Sequence, residues 1–140
     1  MTAKFLSFLA LVFCTVAQPS SAQDSLVVDP TIADIVSGGH WAASGQEGYY
    51  RIVIRTGGFE HINSELTVQW LTEGGRDSDP VVVRSIVVKE LTINRLDRPK
   101  IGQYLKGWRV WVQQTDTHSE HSSTSMRTID LGPPGQVTVK

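Results

Sequence analysis

Apolar and polar residues alternate along much of the chain with a period of two, as expected of strands with one face in a core and one toward water. The clearest run is residues 107–114, Gly-Trp-Arg-Val-Trp-Val-Gln-Gln. Trp108, Val110 and Val112 fall on one side; Arg109, Trp111 and Gln113 fall on the other. The first set predicts a core face. The second is polar except for one large aromatic, and predicts a face at least partly in water. This stretch is read as a central strand.

Three other runs have the same character. In residues 49–56, Tyr50, Ile52 and Ile54 alternate with Arg51, Val53 and Arg55. A five-residue turn over 44–48 joins this strand to one over 34–43, in which Gly38-Gly39 predicts a bulge. A short helix between Asp29-Pro30 and Gly38-Gly39 is the competing reading. Ile32, Ile35 and Val36 would give it only about two turns, too few to hold a helix in isolation. In residues 64–73, Leu66, Val68 and Trp70 alternate with Thr67, Gln69 and Leu71. Residues 81–95 are rich in β-branched side chains and read as one long strand. Its apolar parity switches from Ile86 and Val88 to Leu91 and Ile93, which predicts a bulge near Lys89-Glu90. Residues 97–100 then read as a turn into the central strand. A Ser/Thr/His loop follows over 115–125, then a strand over 125–131, the breakers Gly132-Pro133-Pro134-Gly135 and a last short strand over 136–139.

About seven short strands without a convincing helix predict an all-β fold: an antiparallel β-sandwich, immunoglobulin-like in architecture, or a small barrel. The Cys…Trp…Cys spacing of true immunoglobulin domains is missing, so the likeness is one of architecture alone and carries no function.

Residues 1–22 stand outside this pattern. Lys4 precedes a nearly continuous apolar run over 5–17, and Ser20 and Ala22 place small residues where a signal peptidase reads them. The run is too short for a comfortable membrane span. Residues 1–22 are therefore expected to be a signal peptide, and 23–140 a single exported β-domain, periplasmic or secreted, without a stable membrane span. The only cysteine, Cys14, lies within the signal and follows Phe13 rather than the small residue that lipidation requires. The exported domain then has no disulfide and must be held by packing.

Charge narrows the partners. Lys4 is the only charged residue before Gln23, so the remaining chain carries twelve Lys and Arg against fourteen Asp and Glu. A balance so close to neutral argues against a general nucleic-acid binder. The distribution is uneven: residues 23–48 hold four acids and no Lys or Arg, whereas 84–115 hold seven bases against Glu90 and Asp97. Those bases, Arg84, Lys89, Arg95, Arg98, Lys100, Lys106 and Arg109, could meet an anionic glycan or envelope polymer. They are read first as the wet side of adjacent strands, where Lys and Arg discourage edge pairing.

Two candidate sites follow. Trp111 between Arg109 and Gln113 has the chemistry to stack on a sugar ring or to anchor a protein partner. The leading reading is thus a small exported binding module for an envelope protein or glycan. If hairpins alternate between the two ends of the sheet, the loops holding Glu47, Asp77/Asp79 and His118/His121 share one end. Asp77, Asp79, His118 and His121 would then be candidate metal ligands. A metal-binding protein or metal-dependent hydrolase is the alternative, although His118-Ser119-Glu120-His121 has none of the ligand spacing of a helical zinc motif. Glu60, His61 and Glu65 are a further acid–base grouping if loops converge. No Gly-x-Ser-x-Gly elbow, phosphate-cradling loop or exported thiol is present, so no catalytic residue and no cofactor are assigned. The exported protein is expected to begin at Gln23. N-terminal sequencing of the secreted form checks this, and a start beyond Leu26 or retention of the 5–17 run would contradict it.

Overall fold

The computed structural model describes residues 29–59, 62–74, 78–92 and 94–140. The segment read as a signal peptide lies outside them. The strands are β1 (Ile32–Ala43), β2 (Gln46–Gly57), β3 (Asn63–Thr72), β4 (Val82–Val87), β5 (Arg95–Tyr104), β6 (Gly107–Thr115), β7 (Thr124–Leu131) and β8 (Val137–Val139). They form two four-stranded antiparallel sheets, ordered β1-β2-β3-β4 and β5-β6-β7-β8. The sheets pack into the expected sandwich. Each sheet is a simple meander, and only the β4–β5 connection passes from one to the other.

The inner faces of the alternating strands behave as their sequences imply, whereas Val53 of β2 and Thr67 and Leu71 of β3, on the opposite face, are also at most 4% exposed. Tyr50, Ile52 and Ile54 of β2 meet Leu66, Val68 and Trp70 of β3 on the inner face, all at most 3% exposed. Val110 and Val112 of β6 and Ile129 of β7 are fully buried opposite them. Trp108 packs against this core but is only partly buried, because it sits beside the β5–β6 turn; Trp70 and Trp41 are the deeply buried tryptophans. The bulge in β1 is present as a register shift between Gly38 and Trp41. Gly39 has φ +72°, and a Cβ there would lie 2.9 Å from both the Trp108 and Tyr50 rings. Only glycine combines that backbone angle with so close an approach.

Two turns differ from expectation. The β1–β2 connection has only Ser44 and Gly45 between the strands, at φ 53° and 74°. Positive φ at both central residues matches the twist of a two-residue hairpin, so pairing continues through Gln46 and Glu47 to Gly48. Gly48 is required there because a Cβ would come 1.8 Å from the Leu71 carbonyl oxygen.

The second difference alters the topology. Residues 81–95 are not one strand. β4 ends at Val87, a 3₁₀ turn spans Lys89–Leu91, and the chain crosses to the other sheet before β5 starts at Arg95. Val88 and Leu91 are at most 1% exposed, so the parity switch marks a crossover that plugs the core rather than a bulge. Residues 97–100, read as a turn, lie inside β5 as a register shift between Asp97 and Lys100, with Arg98 at φ 52°. The count rises from seven strands to eight.

Polar groups fix how the sheets sit on each other. The Gly132 carbonyl accepts hydrogen bonds from Trp70 Nε1 at 2.9 Å and Tyr50 Oη at 3.2 Å. Burial pushes the Tyr50 phenol above its ordinary pKa, which keeps it a neutral donor. At the other end the Ser64 hydroxyl, itself buried, accepts from the Leu96 backbone N–H at 2.9 Å. The β1–β2, β3–β4, β5–β6 and β7–β8 connections therefore share one end, and β2–β3, β4–β5 and β6–β7 share the other.

Gly39→Ala should lower stability by about 2–4 kcal/mol, combining left-handed backbone strain with overpacking. Gly45→Ala, also at positive φ but with no atom within 4 Å of a new Cβ, should lose only about 1–2 kcal/mol. Urea midpoints of the two variants check the difference.

Candidate functional site

Opposite the core face of β6, Arg109, Trp111 and Gln113 project from the outer face of the second sheet, as their alternation implies. The register decides what stands beside them. Gly102 of β5 and Asp130 of β7 flank Arg109, and Lys100 of β5 and Thr128 of β7 flank Trp111. Asp97 and Met126 flank Gln113.

Arg109 departs from the expectation of a wet face, since it is only 7% exposed. Its Nε donates to Asp130 Oδ1, and its guanidinium carbon lies 3.4 Å from the centre of the Tyr104 ring. A cation so covered needs both contacts: a carboxylate for its charge and an aromatic face for its flat surface. Asp130 is held in turn from a second direction, with Lys140 Nζ 2.5 Å from Oδ2. The hydrogen bond from Arg109, and then that from Lys140, lower the Asp130 carboxyl to a pKa of about 2. Arg109 is correspondingly raised, chiefly by its bond to Asp130.

Trp111 is partly exposed. Its six-membered ring leans toward β5, where a Cβ on Gly102 would be 3.3 Å from Cζ3 and 3.8 Å from Cη2. Glycine thus gives the indole room to lie over the neighbouring strand. Tyr104 stands almost perpendicular to it, with ring centres 6.5 Å apart and planes at 79°. Together they make an aromatic corner with Trp111 as floor and Tyr104 as wall, Arg109 lying against the Tyr104 ring. Alternation on β6 alone identified Trp111. Tyr104, Asp130 and Lys140 were missed, because residues 97–100 of the strand that presents Tyr104 were read as a turn, and the register that brings the other two alongside is set only by the fold. The spacing Lys100-x-Gly102-x-Tyr104 was the available signal.

The candidate metal ligands are not gathered. Asp79 follows β3 at the end of the sandwich that holds Gly132. His118 and His121 lie in the β6–β7 connection at the opposite end, where Thr117 Oγ1 donates to the Ile62 carbonyl at 3.1 Å. The unanticipated β5 reverses the end to which the His loop belongs, and a nine-residue β6 separates the two ends by roughly 30 Å. Asp77 lies outside the described residues, as do Glu60 and His61. Glu47 stands near His40, 3.6 Å from its Nε2, and Glu65 near Arg55, 3.8 Å away. Among the described residues no three His, Cys, Asp or Glu side chains are placed to hold a metal ion. A recess near the β2–β3 end is lined by Thr31, Arg55, Thr56, Ser64 and Glu65, but its described lining includes no aromatic ring.

The depressed Asp130 pKa has a testable sign. Its stabilisation is complete above the ordinary carboxylate value of 3.8 and is lost as pH falls from there through about 2. Asp130→Asn should lower the melting temperature at neutral pH and flatten the decline in stability across that acid window, followed by circular dichroism. Comparison with protein-family models, curated sequences and solved structures finds no match to this chain.

Proposed function

We propose that the protein is an exported binding module that engages an envelope polysaccharide through the outer face of β5, β6 and β7. The observation that carries the reading is the aromatic corner: Trp111 laid over Gly102, with Tyr104 at 79° to it. The C–H face of a pyranose is apolar and flat enough to stack on an indole, while its rim of hydroxyls needs donors and acceptors. Gln113 supplies these from β6 itself, Lys100 and Thr128 from the strands on either side, and Lys140 from opposite Thr128.

The corner is also preorganised. It stands on paired strands rather than on loops, and Arg109 is locked between Tyr104 and Asp130, so binding orders few side chains. Asp130 favours binding over proton-transfer chemistry. A carboxylate with a pKa of about 2, tied to two cations, is a poor general base at neutral pH. Export rests on the 1–22 segment. No helix among the described residues is long and apolar enough to cross a membrane.

Trp111→Ala should weaken binding to isolated envelope polysaccharide by about 30-fold, on the order of 2 kcal/mol, with little loss of melting temperature. Co-sedimentation of wild type and variant with the polysaccharide measures this. Equal binding by both proteins would remove the face from consideration.

A further inference from the structure

We propose that the polysaccharide held on this face is acidic, with a carboxylate on its sugars, and lies across the strands over Trp111. The inference rests on the binding-face reading above and adds the charge of the ligand. It comes from the register of all four strands of the second sheet.

Lys100 pairs with Trp111 across β5 and β6, and Trp111 pairs with Thr128 across β6 and β7. Thr128 then exchanges both backbone hydrogen bonds with Lys140, at 2.8 and 3.2 Å. Directly opposed residues of antiparallel strands share a face. Lys100, Trp111, Thr128 and Lys140 therefore stand in one row on the outer surface, with the indole between two lysines. The row crosses three strand spacings, roughly 14 Å, a length suited to a chain of sugars rather than to one.

The charges of this row and the next do not cancel. Arg109 and Lys140 share the single carboxylate of Asp130. Lys100 has no carboxylate partner among the described residues, and it is exposed. Asp97, one row further along, already lies 3.5 Å from Arg95. Lys100, Arg109 and Lys140 against Asp130 leave a surplus of positive charge around the one aromatic floor. Lys140 is 57% exposed, so its ammonium remains open to solvent beside Asp130. A neutral glycan would use the stacking surface and leave this surplus unmatched. A carboxylated glycan stacks on Trp111 and places its anions toward the lysines on either side, where charge-assisted hydrogen bonds form.

The test is calorimetric titration with an oligogalacturonate and with the same oligosaccharide after reduction of its carboxylates to alcohols. The acidic form should bind about tenfold tighter than the reduced form at low salt, and that margin should shrink as salt is added. Lys100→Gln with Lys140→Gln should remove the margin, weakening the acidic form about tenfold more than the reduced form. Lys100→Gln alone, which breaks no ion pair, should remove part of it. Equal binding of the two forms, or a double variant that retains the margin, would overturn the acidic ligand while leaving the face intact. No binding of either form, or Trp111→Ala binding both as wild type does, would overturn the face and the acidic ligand together.

Discussion

The Gly132 carbonyl is the polar point on which the two sheets of this protein align. Apolar burial between β-sheets is strong but non-directional, and by itself leaves one layer free to slide or rotate over the other. Trp70 and Tyr50 pin one end by donating to one acceptor across the core, and the Leu96 N–H donating to the Ser64 hydroxyl pins the other. Both rings are apolar bodies with a single polar atom, so each fills the core and still finds a partner at its tip. The acceptor belongs to the turn after β7. Anchoring it fixes where β8 returns, and β8 in turn carries Lys140 back beside Asp130. A core hydrogen bond thereby sets the geometry of an outer face.

Gly39 serves the same packing from the opposite side. The bulge in β1 brings backbone against the Trp108 and Tyr50 rings, and Tyr50 is one of the two donors to Gly132. The chain's one cysteine, Cys14, lies outside the described residues, and within the sandwich this arrangement of rings, glycine and carbonyl does the aligning that a disulfide does in many sandwiches.

Arg109 shows how a surface becomes rigid. Its cover of Tyr104 and its bond to Asp130 place a charge where little water reaches it, an arrangement that costs desolvation unless every contact is made. The return is a fixed wall for Trp111. Asp130, on the adjacent strand, and Lys140, just past β8, complete a cluster whose members lie on β5, β6 and β7 and beyond the end of β8. The face is built from register, and no local stretch of sequence contains it.

The sequence by itself determined the strands that turn an alternating apolar face into the core. β2, β3 and β6 were legible because a one-sided core imposes a period of two on Tyr50–Ile52–Ile54, Leu66–Val68–Trp70 and Val110–Val112. The Gly38-Gly39 bulge was legible because adjacent glycines inside such a pattern rarely serve another purpose. Tertiary structure decided the rest. β5 was hidden because Asp97, Arg98 and Pro99 interrupt it and its inward positions are few, Leu96 and Ile101 among them. That one strand reversed the end to which the His118/His121 loop belongs, since each connection in a meander flips direction and a missed strand changes every later parity. Arg109 read as a wet residue because exposure depends on neighbours, and its cover comes from Tyr104 and Asp130, brought alongside only when the strands pair. Alternation is a local property of the chain. Register and the end of the sandwich at which a loop emerges are properties of pairing, and exist only once the sheets have formed.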